Sequence, residues 1–398
     1  MKRYPVFLLL FFTLAVYGQT GTLQNRTLQE KTLQNRTLQE KTLPNRTPQE
    51  KTLQDKSSGL KIIFTGDIMG HDSQIASALA AGGDGYDYRS CFRYLQPYFS
   101  EADLVIGNLE VTLAGPPYRG YPRFSSPDEL ADALLEAGFD ILITANNHAL
   151  DRGDDGLVRT LHQLDRRGIL HTGTFSDSAG RQRYYPLLLE KNGIRIALLN
   201  YTYGTNGLKS DHPVAVNYID TAQIREDLGK ASLAEPDMVL LTLHWGTEYE
   251  RLENSIQRRL ARFALDHGAD AVIGSHPHVV QPVKGEGKGN LVVYSLGNFI
   301  SNQRPRYRNG GIAFEMELVK KSGNTRIVRH AYLPVWVHKP VTKKGTLFTL
   351  VPAAIDPDNF PELMFSPEDR MSMRQFLTDT RIHLGNVKEV EPVWIVQP

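Results

Sequence analysis

The chain has 398 residues, 41% of them hydrophobic and 22% charged, enough for one large core or two modest ones. The formal charge of +1 is uneven: the first 59 residues carry nine of the 45 basic and four of the 44 acidic residues, which leaves 36 against 40 beyond them. That slightly acidic remainder presents no basic face for nucleic acid, and a single cysteine, Cys91, excludes an intrachain disulfide.

Lys2-Arg3, the apolar run 6–16 and the small residue Gly18 before Gln19 read as a secretory signal peptide over residues 1–18. An uncleaved membrane anchor is the alternative, although the run is short for a spanning helix. On either reading the chain is exported, to the periplasm or the envelope. Residues 19–59 read as a tether. The sequence Thr-Leu-Gln-Asn-Arg-Thr-Leu-Gln-Glu-Lys occurs at 22–31 and 32–41, and returns at 42–51 with Pro44 and Pro48. Its leucines recur every five residues, about 140° apart on a helix, so no apolar stripe can form. A flexible polar coil is expected, with a reach of roughly 30–35 Å.

From Leu60 the pattern changes. A strand is predicted over 61–65, leaving through Gly66-Asp67-Ile68-Met69-Gly70-His71-Asp72, and a helix over 73–81. The apolar stretch 103–106 ends in Gly107-Asn108-Leu109-Glu110. Ser126-Pro127-Asp128-Glu129 predicts a helix with Ser126 as N-cap, closed by Gly138. A strand over 139–144 opens into Asn146-Asn147-His148 and Asp151-Arg152-Gly153, and a helix follows over 154–167. Further strands are predicted over 194–200, 238–243, 270–273 and 291–295, then β-like runs over 312–319 and 326–337. A helix capped by Ser366 closes near His383. Strands alternating with helices predict an α/β protein. The expected divisions are a domain over 60–335 and a small C-terminal extension over 336–398.

The chemistry-bearing residues gather where these strands end. Asp67, Glu110, His148 and His244 each follow a strand, as do His276 and His278 in Gly274-Ser275-His276-Pro277-His278. Crevices outside the carboxyl ends of strands are where open α/β sheets place ligands. Taken singly each residue has an ordinary reading: a turn aspartate, a surface glutamate, a packed histidine. Together, oxygen and imidazole donors without thiolates suit Mn, Zn, Fe or Mg. Two such ions would activate a water and clamp a tetrahedral or phosphoryl transition state.

Six blocks in this order resemble the CapA family of capsule and poly-γ-glutamate biosynthesis proteins, over about residues 60–310. They are Thr65-Gly66-Asp67-Ile68-Met69, Asn108-Leu109-Glu110, Ala145-Asn146-Asn147-His148 with Asp151-Arg152-Gly153, His244-Trp245-Gly246-Thr247-Glu248-Tyr249, the Gly274–His278 run, and Ser295-Leu296-Gly297-Asn298-Phe299. The resemblance implies a layered αββα sandwich similar to the calcineurin-like metallophosphatases. It implies one or two divalent metal ions on Asp67, Glu110, Asn147, His244, His276 and His278, with His148 as proton donor and Asp151 beside it. Two positions depart from the metallophosphatase pattern: Met69 stands where a histidine is expected and Asn108 where a bridging carboxylate is expected. Glu110 is a possible substitute for the bridge, and His71 or Glu248 could compensate elsewhere.

Arg123, Arg152, Glu248 and Asn298 are assigned to substrate binding, and Arg304 and Arg306 are further loop arginines able to pair with carboxylate or phosphate. The substrate class implied is an anionic envelope polymer or its precursor, with other capsule-synthesis proteins as partners. Two functions remain open on these grounds: a metal-dependent hydrolase, and a non-catalytic assembly or export factor that keeps the fold as a polymer-binding platform.

Overall fold

The computed structural model describes residues 58–392 apart from 83–84, 212, 286–288 and 344. The expected signal peptide and nearly all of the expected tether lie outside the described residues.

Two mixed sheets carry the fold. Along the chain come β1 (Ser58–Ile68), β2 (Leu104–Leu109), β3 (Ile141–Ile143), β4 (Leu170–Thr172), β5 (Leu187–Lys191), β6 (Ile194–Thr202) and β7 (Met238–His244). They are followed by β8 (Ala271–Ser275), β9 (Val283–Gly285), β10 (Leu291–Val293), β11 (Asn298–Ile300), β12 (Gly310–Lys321), β13 (Asn324–His338) and β14 (Thr349–Pro352). The larger sheet has the order β14-β13-β12-β1-β2-β3-β4, with β11 paired to β1. The smaller has the order β9-β10-β8-β7-β6-β5. Strands β1 to β4 are mutually parallel, and so are β6, β7, β8 and β10.

The long helices are α1 (Asp72–Gly82), α2 (Glu129–Ala137), α3 (Gly153–Arg167), α4 (Thr221–Leu233), α5 (Ser255–Asp266) and α6 (Pro367–Leu384). Parallel strands need crossovers, and these put every functional loop at the same end of its sheet.

The strands read as near-continuous apolar runs because both faces are covered. In the larger sheet Ile63, Val105 and Leu142 join a core with Leu130 and Leu134 of α2 and with the rings of Phe99, Phe139 and Phe299. In the smaller, Leu199, Leu241 and Val272 pack with Ile224 and Leu228 of α4 and with Ala261 and Ala264 of α5. Burying such side chains contributes about 1.5–3 kcal/mol each, so the strand ends sit on two rigid platforms.

Most predicted elements are present, and their caps explain several boundaries. Asn254 and Gln257 form a capping box at the start of α5, and Ser366 and Asp369 do so for α6. Gly138 ends α2 in the left-handed region at φ 110°. The start of α2 differs from expectation. The helix begins at Glu129, and Ser126 does not cap it. Asp128 precedes the helix with its carboxylate held by Arg159 of α3 at 2.7 and 2.9 Å, while Ser126 is buried beneath Gly70. β1 takes in Ser58 and Gly59, and β13 runs unbroken through residues 335 and 336, with β14 paired to its end. No helix among the described residues is long and apolar enough to cross a membrane.

Candidate metal centre

Register brings the site together before any side chain is considered. In the larger sheet Asp67 is level with Asn108 on β2 and with Asn298 on β11. In the smaller sheet Thr202, His244 and Ser275 form one row across β6, β7 and β8. The first strand can end this tightly because residue 66 is glycine: a Cβ there would lie 1.9 Å from the Gly297 carbonyl oxygen. The turn that follows β8 is strained, with φ of 100° at His276 and 58° at His278. Histidine rarely adopts such angles, at a cost of about 1–3 kcal/mol each, and strain of this kind gathers at functional sites.

Donor atoms of Glu110, His244 and His276 lie within 4.8 Å of one another, and so do those of Asp67, Glu110 and His278. All five residues are buried. Glu110 belongs to both groups, so its carboxylate stands between two adjacent three-donor clusters. His244 Nε2 is 3.6 Å and His278 Nε2 3.8 Å from Glu110 Oε1. Asn147 adds an oxygen, its Oδ1 lying 2.8 Å from His244 Nε2.

Asn108 ties the clusters together. Its Nδ2 donates to Asp67 Oδ1 at 2.8 Å and reaches Glu110 Oε2 at 3.5 Å and His244 Nδ1 at 3.3 Å. An amide here links two carboxylates, where a third carboxylate would repel them. Met69 is buried with its carbonyl accepting from Gln74, and offers no nitrogen donor. His71 bonds Gln74 at 2.9 Å and belongs to neither cluster.

The electrostatics suit a cation. Burial, then the neighbouring histidines, hold His244 well below the usual imidazole range, and burial and His278 bring His276 down to about 3. Both rings are therefore neutral near pH 7, with lone pairs available for an ion. Burial tends to raise Asp67, but hydrogen bonding and charge from His278, with help from Asn108, hold it below the ordinary carboxylate value. Glu110 is pushed well above the ordinary value by burial and by the charge of Asp67. Glu110 Oε1 and His276 Nδ1 are buried without a hydrogen-bond partner. Such orphaned atoms cost about 1–3 kcal/mol each unless something pairs with them. A divalent ion bound by both groups would pair with them and offset the crowding of Asp67 and Glu110, so the donor set fits one or two such ions.

Beside the clusters His148 Nδ1 meets Asp151 Oδ2 at 2.7 Å, both side chains being buried. The same carboxylate oxygen accepts the Phe124 amide at 2.7 Å. The Asn146 side chain fixes the turn by accepting from the His148 amide at 3.1 Å and donating to the Leu109 carbonyl at 2.7 Å. Asp151 thus orients the ring and leaves Nε2 as the nitrogen free to exchange a proton.

Of the other residues expected at the site, Asn298 is buried and spends its amide on the carbonyls of His278 and Arg308 at 3.3 and 2.8 Å. This anchors the His278 turn. Glu248 is exposed. Arg123 and Arg152 line one cleft. Arg304 and Arg306 are engaged elsewhere, with the Lys339 carbonyl and with Asp379.

Sequence reasoning missed two residues. Ser275 Oγ, 3.1 Å from His244 Nδ1, orients that ring. Tyr203 has its ring centroid 4.5 Å from that of His276 and 6.3 Å from that of His244. Burial, Glu248 and Glu110 push its phenol up to about 12, so it remains a neutral donor. Ser275 sat within a block already singled out and Tyr203 outside all six, and neither residue type signals metal chemistry by itself.

The family described as bacterial capsule synthesis protein PGA_cap matches residues 61–303, which includes every residue of both clusters. The PGA biosynthesis protein CapA of Bacillus subtilis (strain 168) is 30% identical over 283 residues, 65% of this chain and 70% of that one. The capsule biosynthesis protein CapA of Bacillus anthracis is 28% identical over 257 residues, 61% of this chain and 60% of that one. Among solved structures, a calcineurin-like phosphoesterase from Bacillus subtilis aligns with 86% of this chain and 100% of its own at 14% identity, with a TM-score of 0.44. From the family match over most of the folded region and from the 30% identical relative, this chain belongs to the PGA_cap family of bacterial capsule synthesis proteins.

Proposed function

We propose that this chain is an exported, metal-dependent hydrolase that cuts an anionic capsule polymer of the poly-γ-glutamate class, or its precursor. One observation carries the reading: two buried donor clusters share Glu110 and lie beside an oriented His148–Asp151 pair. Glu110, His244 and His276 would hold one ion, with the Asn147 oxygen adjacent; Asp67, Glu110 and His278 would hold the other. When bound, such ions supply Lewis acidity and lower the pKa of water. The protein's own share is positioning and proton movement. Asp151 keeps His148 Nδ1 protonated, so that Nε2 can hand a proton to a leaving group when the ring is charged. Tyr203 offers a neutral phenol beside His276, and the buried walls keep bulk water from competing with these contacts. The polymer class rests on the names of the two relatives. Export rests on residues 1–18 and is checked by N-terminal sequencing of the mature protein, which should begin near Gln19.

The second reading, a polymer-binding platform without turnover, is favoured by Met69 and Asn108, which occupy positions where the metallophosphatase pattern has ligands. Metal analysis of the full chain beside His276→Ala and His148→Ala separates the two. Hydrolase chemistry requires one to two ions per chain, fewer in His276→Ala, unchanged in His148→Ala, and polymer cleavage lost in both. Ions present without cleavage in the wild type, or no ion taken up from Mn, Zn or Fe, leaves the platform.

A further inference from the structure

Next to His148 the chain builds a second feature that the metal chemistry does not use. Residues 119 and 125 pair in antiparallel fashion, through Arg119 N–H to the Ser125 carbonyl at 3.0 Å and Ser125 N–H to the Arg119 carbonyl at 2.8 Å. The tip between them is tied down at two points. The Gly120 amide donates to Asp72 Oδ1 at 2.7 Å, and the Phe124 amide donates to Asp151 Oδ2, the oxygen that orients His148. Glycine is required at 120, since a Cβ there would come within 2.4 Å of the Asp72 nitrogen. The Phe124 ring stands edge-on to His148 at 4.6 Å and to His71 at 5.5 Å. The hairpin is therefore registered against the proton-transfer residue.

A cleft of about 290 Å³ opens on this hairpin, and Arg119, Arg123 and Arg152 line it. Arg152 contributes from the start of α3, directly after Asp151. None of the three has a carboxylate partner among the described residues, and the one hydrogen bond that any of their side chains makes is Arg152 to the Pro117 carbonyl at 3.4 Å. Asp72, whose Oδ1 is engaged by Gly120, is the single acid in the lining. Elsewhere on the surface Arg159, Arg167, Arg181, Arg306, Arg329 and Arg381 are paired with acids. Three unpaired guanidinium groups around one cleft repel one another, an arrangement that an anionic ligand relieves. Because they project from three backbone positions, they suit several single charges spaced along a chain better than one compact oxyanion.

We infer that this cleft is a polymer subsite that holds the carboxylates of an acidic polypeptide next to the bond being cut. The inference rests on the proposed hydrolase reading for its orientation, with the scissile unit at the metal clusters and the neighbouring acidic units on the arginines. It also accounts for a link between substrate seating and chemistry, since the turn that carries Arg123 donates to Asp151 through the amide of the next residue, Phe124.

The test uses fluorescence anisotropy with the full chain in chelator, and labelled γ-linked glutamate oligomers of about three to ten residues. A glutamine oligomer of equal length and inorganic phosphate serve as comparison ligands. Wild type should bind glutamate oligomers more tightly as length grows, ignore the glutamine oligomer, and weaken as salt rises. Arg119→Gln with Arg123→Gln, and separately Arg152→Gln, should each lose about tenfold or more in affinity while binding metal ions as the wild type does; Arg123→Lys should recover part of the loss. Equal binding by wild type and both glutamine variants, or phosphate competing at the concentration of the longest oligomer, would overturn the subsite. Metal uptake and polymer cleavage, measured on the same wild-type protein, separate this from the hydrolase reading. Arginine-dependent oligomer binding in a protein that takes up no metal and cuts nothing would keep the subsite and discard the hydrolase.

Discussion

Replacing Glu110 with glutamine removes the one carboxylate common to both donor clusters and keeps its shape. Because Glu110 Oε1 stands between His244 Nε2 and His278 Nε2 at 3.6 and 3.8 Å, the change should cost both ions, whereas His276→Ala should cost only the ion that lacks Asp67. An ion at one hundred times its Kd stabilises the native state by about 2.7 kcal/mol. With unfolding entropy of about 2.1 cal/mol/K per residue over roughly 330 described residues, this is about 4 °C in Tm for each ion. If the substitution weakens each ion at least a hundredfold, about 0.4 kcal/mol or 0.6 °C per ion remains. Thermal melts of chelated full-length protein with added Mn or Zn read this directly. Wild type should rise by up to about 8 °C, His276→Ala by about half of that, and Glu110→Gln by about 1 °C. In chelator Glu110→Gln should melt near the wild type, since burial and the charge of Asp67 already favour the protonated acid. A Glu110→Gln protein that keeps half the rise while His276→Ala loses all of it would refute Glu110 as the shared ligand.

Asp151→Asn should keep metal content and fold but lower polymer cleavage by about 10³–10⁴, because an amide no longer selects the His148 tautomer; measured ion stoichiometry and turnover together check it. His338 lies against Phe365 at 4.1 Å and Trp336 at 5.7 Å, and burial holds it below the usual imidazole value. A histidine lowered in the folded state is protonated first in the unfolded chain, so stability falls as pH drops below about 6.5; His338→Phe should lessen that fall in melts between pH 7.5 and 5. Gly120→Val should cost about 1–3 kcal/mol by driving the hairpin off the Asp72 amide, lowering Tm and oligomer affinity together.

What could be read from the sequence divides along a physical line. Long apolar runs with capped ends announced themselves, and α6 begins at the predicted Ser366 cap because Ser366 and Asp369 cap it reciprocally. The three-residue strands β3 and β4 owe their existence to pairing in the sheet, so their lengths carry no local signal. Ser126 shows the limit of reading caps from spacing: its sequence pattern is right, yet burial under Gly70 and the pairing of Asp128 with Arg159 set the helix start two residues later. At the site, the blocks at strand ends named the donors, because register forces consecutive parallel strands to present their exits side by side. Register also decides what Asn108 does. From the sequence it is a lost carboxylate; in the fold it lies level with Asp67 and two residues before Glu110, so it bonds one and reaches the other. The carboxylate common to both donor clusters stands two residues further along the strand exit, and the Asn108 amide links it to Asp67. A carboxylate is thus on offer within the same loop, which is why a ligand pattern should be tested on the row of strand ends before a missing residue is taken to mean a missing site.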